Sequence, residues 1–99
     1  MAASKLLANS DRWADDSVFS RDVIDLAMMG LPLPLLRLAL AKAEQAYGPA
    51  VARDLAKAID RLQERQGWLE RCMLAMAMTL PKAVLWQKIR SLRKLLKPV

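Results

Sequence analysis

The 99-residue sequence contains no histidine and one cysteine, Cys72. Without imidazole, the usual zinc ligand sets cannot be assembled and the commonest general base is missing. A single thiol excludes an intrachain disulfide framework and fits a reducing, cytoplasmic compartment. Beside Met73 and Met76 it reads as a buried apolar residue rather than a reactive one. Glycine and proline are scarce, with 3 and 5 residues, and aromatics make up 5% of the chain. There is no glycine-rich phosphate loop, and strand-forming stretches are few. The acids are dispersed over solvent-facing helical positions rather than paired. No catalytic activity, metal or cofactor is expected.

Long apolar runs are also lacking. The longest uncharged stretches, Leu26 to Leu36 and Cys72 to Pro81, are about half the ~20 residues that a spanning helix needs. The opening MAASKLLANSDRW has no uninterrupted apolar core of signal-peptide length.

What is present is helix-forming. Hydrophobic residues reach 55%, enough for one modest core, and Ala, Leu, Lys, Arg, Met and Gln dominate. The expectation is an all-α single domain over 1–99, a small bundle of four to five helices. Its organising stretch is about 49–80. There Ile59, Leu62, Gln66, Leu69, Met73, Met76 and Leu80 fall on one seam at three- and four-residue steps, continued upstream by Val51 and Leu55. Gly67 interrupts this stretch at a cost of about 1 kcal/mol, and because the seam keeps its phase, a single long helix or a gently kinked pair is predicted. Unbroken, it would form a rod of roughly 48 Å, too long for one small protomer to cover, which predicts a homodimer.

The flanking elements follow from punctuation. Residues 1–10 carry little periodic signal and are expected to fray. A helix over about 17–29 starts at Asp16, Ser17 or Ser20 and ends at Gly30, with Phe19, Val23 and Leu26 on its apolar stripe and Ile24 and Met28 beside it. Leu31 to Pro34 form a stiff apolar connector. A second helix runs from Pro34 to Tyr47, with Leu36, Leu40, Ala43 and Tyr47 inward, and Gly48 and Pro49 make a corner. Thr79 is placed to cap a last, basic amphipathic helix over about 81–97.

Charge is polarised along the chain. Residues 1–30 have a balance of −2, residues 31–71 of +2, and residues 72–99 of +6 with no acid among them. On the last helix Leu85, Ile89, Leu92 and Leu96 share one face, while Lys82, Arg90, Arg93, Lys94 and Lys97 gather on another with Trp86 among them. The tail is either neutralised within the molecule, by the aspartates of the 17–29 helix, or used on a partner. The surface expected to bind a partner comprises Trp86, Arg90, Arg93, Lys94 and Lys97, with Met73 and Met76 beside it. Met28, Met29, Met73, Met76 and Met78 add soft, adaptable apolar area.

These features point to a non-catalytic protein-binding module, a regulator, adaptor or chaperone-like protein. The alternative is nucleic-acid binding, in which the cations meet phosphate and Trp86 stacks on a base. A helix-turn-helix at Gly48 and Pro49 fits poorly, because Asp54 and Asp60 would face phosphate. An anionic membrane surface, with the last helix lying in the interface, is the third reading.

Overall fold

Glycine and proline at the corners and the seam at 49–80 divide the chain into helices, and the computed structural model, which describes residues 1–96, contains six. They are α1 (Ala2–Arg12), α2 (Arg21–Met28), α3 (Leu33–Tyr47), α4 (Ala50–Glu64), α5 (Trp68–Ala75) and α6 (Lys82–Ser91). Short 3₁₀ segments occupy Asp16–Val18 and Leu92–Leu96. There is no strand among the described residues, so the all-α bundle holds.

α4 is the hub. Val51, Leu55, Ile59 and Leu62 recur along one side of it and are completely or almost completely buried. The helix touches each of the other five. One apolar cluster joins these side chains to Leu6 of α1, Val23, Ile24 and Leu26 of α2, Leu36 and Leu40 of α3, Trp68 and Leu69 of α5, and Leu85 and Ile89 of α6. Each fully buried aliphatic side chain contributes about 1.5–3 kcal/mol by leaving water.

Of the two forms expected for 49–80, the unbroken rod does not form, and the stretch is a pair of helices, α4 and α5. α4 stops at Glu64, Arg65 is extended (φ −75°, ψ 112°), and Gly67 is left-handed at φ 75°. A residue without Cβ enters that region freely, so the chain breaks there and α5 starts anew. Leu62 and Leu69 still share the core, which is why the seam looked continuous. Gln66, predicted on the seam, lies exposed at the break, and Trp68 takes an inward place instead. The molecule measures 34 × 25 × 22 Å, with a radius of gyration of 12.5 Å. That is near the ~13 Å typical of a 100-residue globule, and the length argument for a dimer lapses.

Residues 1–10 are not frayed. They form most of α1, which packs on α2, α3 and α4. Its inward stripe is Ala2, Leu6 and Asn9, too small and too polar to register as an apolar period. The helix is held by tertiary contacts rather than by its own pattern. Lys5 Nζ donates to Asp25 at 2.9 Å, and Arg12 donates twice to Asp22 at 2.7 and 3.1 Å, clamping α1 to α2.

The 17–29 helix is shorter than predicted. Asp15 accepts from the Ser17 N–H at 2.9 Å and starts only a 3₁₀ turn. Phe19 and Ser20 are both left-handed (φ 52° and 53°) before α2 begins. Gly30 follows α2 in the left-handed conformation, as expected. Leu36, Leu40 and Ala43 of α3 are buried, but Tyr47 is 52% exposed, because Gly48 turns the chain away directly after it. Thr79 caps nothing: Pro81 occupies the N-cap position of α6, which has no side-chain cap.

Candidate functional site

The apolar face of α6 is spent on the fold. Leu85 and Ile89 point into the core against α2, and the Leu92–Leu96 segment that follows buries Leu92 and Leu95 beside α3 and α4. This leaves the polar side of α6, with its cations, at the surface next to the connector between α2 and α3.

Two concavities share this border. The first is an apolar cleft of about 280 Å³. Leu26 and Ala27 at the end of α2, the connector residues Leu31 and Leu33, and Leu36 and Leu92 supply its apolar lining. Lys88 and Lys94 are its charged lining residues. Met28, Met29 and Leu35, next along the chain to these lining residues, are 42%, 36% and 51% exposed, and Leu38 one turn further is 68% exposed. The second concavity is a hollow of about 420 Å³ lined by Gln87, Arg90, Ser91, Arg93 and Lys94, with no acid. Ser91 and Lys94 line both.

The tail's charge is partly answered within the molecule. Arg93 donates from Nε to Gln63 at 3.0 Å and from Nη2 to Asp60 at 2.5 Å. Lys82 reaches Glu70 at 3.0 Å, a contact that holds the Glu70 carboxyl below its ordinary value. The acids responsible sit on α4 and α5. The aspartates near the N-terminus, expected to neutralise the tail, are taken by Lys5, Arg12, Arg61 and Arg65. Lys88, Arg90 and Lys94 make no ion pair among the described residues.

Of the residues predicted to meet a partner, Arg90, Arg93 and Lys94 therefore come together in the hollow. Lys97 lies outside the described residues. Trp86, Met73 and Met76 are half-buried against the core and line neither cleft nor hollow. Met76 faces a separate hollow of about 190 Å³ near Arg12, Phe19 and Arg21. Among the described residues no cation lies over Trp86. Cations lie instead over Trp13, where Lys57 stands 5.4 Å from the ring centroid, and over Trp68.

Trp68 is buried, stacks on Phe19 at 6.0 Å between centroids, and donates its indole N–H to Ser20 Oγ at 2.9 Å. The guanidinium carbons of Arg65, Arg61 and Arg71 stand 4.4, 4.9 and 5.6 Å from its ring centroid. Asp16 bridges Arg61 and Arg65, and Arg61 also donates to the Ala14 carbonyl at 3.1 Å. Burial, then the neighbouring Arg65, lowers Arg61 from its ordinary value. Cys72 lies in the same buried region. Burial pushes its thiol up to about 11, against the opposing pull of Ser20 and the three arginines. A thiol so placed is a poor nucleophile at neutral pH. Arg61, Arg65 and Arg71 stand at helical spacings from Trp68 in the sequence, seven and three residues before it and three after, but Arg61 and Arg65 reach the ring across the break at Gly67.

No helix of the described residues is long and apolar enough to cross a membrane. Comparison with protein-family models, with curated proteins and with solved structures finds no match.

Proposed function

We propose that this chain is a non-catalytic protein-binding module, a small regulator or adaptor working in the cytoplasm, where a lone buried thiol suits a reducing environment. The observation that carries the reading is the apolar cleft between the α2–α3 connector and α6, with Met28, Met29 and Leu35 exposed next along the chain to its lining residues. Exposed apolar area gathered around a concavity is the usual mark of an interaction surface. The cleft is slightly smaller than the roughly 300–1,000 Å³ typical of small-molecule sites, which suits side-chain anchors better than a whole cofactor. Photo-crosslinkers at the lining residue Leu33 and, as a control outside the cleft, at Arg53 test this in cells. A protein adduct specific to Leu33 is expected; an equal pattern from both positions would count against the reading.

The hollow favours a second reading, nucleic-acid binding, because every charged residue lining it is basic. It is weaker, since Arg93 is already held by Asp60 and Gln63. Labelled duplex and single strands titrated at about 50 and 200 mM salt should show affinity collapsing by orders of magnitude if phosphate is the target. A lipid-surface role has less support, because the apolar residues α6 would insert are buried in the core.

A further inference from the structure

Cleft and hollow are not separate features, because Ser91 and Lys94 line both and Lys88 stands at the cleft's charged side. An apolar concavity and a cationic one therefore meet within the single stretch 88–94. A ligand that fills the first with an apolar group and carries anions about one helical turn, 5.4 Å, further along would satisfy both at once. The cations on the hollow side are unequal. Arg93 is oriented by Asp60 and Gln63, whereas Arg90 and Lys94 are exposed and without an acidic partner among the described residues.

The form of the ligand follows from the surface. The described residues contain no strand, so there is no sheet edge on which an extended segment could add its backbone. A helix laid in a groove uses anchors at i, i+3, i+4 and i+7 and needs no such edge. Met28 and Met29, exposed at the end of α2, offer the deformable apolar shoulder that suits helical ligands.

Resting on the protein-binding reading above, we propose that cleft and hollow together receive one acidic amphipathic helix of a partner protein. Its apolar anchors enter the cleft beside Leu33 and Leu36, and its carboxylates lie against Lys88, Arg90 and Lys94. Charge complementarity makes the choice: each charged side chain lining either concavity is positive. Carboxylates there gain attraction and steering without meeting a like charge.

The probe is a labelled designed peptide of about 18 residues with leucine at the four anchor positions and glutamate beside them. A Glu→Gln version and an anchor Leu→Ser version serve as comparisons. Binding is read by fluorescence anisotropy to the whole chain at about 50 mM salt. The glutamate peptide should bind the wild type about tenfold more tightly than the glutamine peptide, and R90E/K94E should abolish that preference. Ser91→Trp, which plugs the shared border from an exposed position, should weaken both peptides. Thermal melts of each variant separate lost binding from lost fold. If the glutamine peptide binds as tightly as the glutamate one, the acidic partner is overturned and the protein-binding reading stands. If the Leu→Ser peptide binds as well as its parent, the cleft is not the anchor site and the inference fails. If neither leucine peptide binds while labelled duplex does, both readings fall.

Discussion

The indole N–H of Trp68 donates to Ser20 Oγ in a place closed to water, and Ser20 has adopted a left-handed backbone there. Trp68→Phe keeps the stacking with Phe19 but leaves the buried Ser20 hydroxyl without its donor. A loss of about 1–3 kcal/mol in denaturant unfolding is expected. Cys72 beside it gives a prediction in pH. Its folded value, about 11, lies above the ~8.5 of an unfolded cysteine, so the fold binds the thiol proton more tightly than the open chain does. The sign follows. The neutral thiol costs nothing below that unfolded value, and stability falls as pH rises from there toward 11, by on the order of 3 kcal/mol across the window. Chemical unfolding of wild type and Cys72→Ala at pH 8 to 11 should show this added alkaline slope in the wild type alone. Parallel slopes would mean that the thiol is not desolvated as described.

At the scale of elements, the break between α4 and α5 depends on one residue without Cβ. Nothing crowds Gly67, yet its φ of 75° is a conformation that L side chains rarely adopt. Gly67→Ala should therefore cost about 1–2 kcal/mol through backbone strain rather than a clash. Ala77 makes the same excursion with a side chain, at φ 52°. Ala77→Gly should raise the melting temperature where Gly67→Ala lowers it. Legibility of the fold divides along this line. α3 could be read because proline and glycine mark both its ends and its inward leucines are large. α1 could not, since its buried stripe mixes alanine and asparagine with a single leucine. The seam at 49–80 described which residues go inside correctly for Val51, Leu55, Ile59, Leu62 and Leu69. It could not say that the backbone reverses its regularity at Arg65, because burial in one core preserves the apolar phase across a break. The site divides likewise. Arg90, Arg93 and Lys94 were visible as local charge, whereas the cleft arises from residues 26–36 meeting residues 88–94, which no local period encodes.

Across the whole molecule, the net charge of +6 is distributed between contacts that hold helices together and a surface that does not need it. Lys5 and Arg12 fasten α1 to α2, Arg61 and Arg65 fasten α4 and its C-cap to Asp16, and Arg93 fastens the C-terminal 3₁₀ segment to α4. Lys88, Arg90 and Lys94 fasten nothing by an ion pair among the described residues. Two classes of charge reversal should then behave differently. R93E places a carboxylate against Asp60 and removes a charged hydrogen bond, which should cost about 1 kcal/mol. K88E/K94E disturbs no such pair, and its unfolding free energy should stay within about 0.5 kcal/mol of the wild type. The same double reversal should raise the on-rate for a cationic peptide and lower it for an acidic one, with both effects shrinking as salt rises. If K88E/K94E instead unfolded as readily as R93E, the basic border would be part of the scaffold, and no charge would be left over there for a partner.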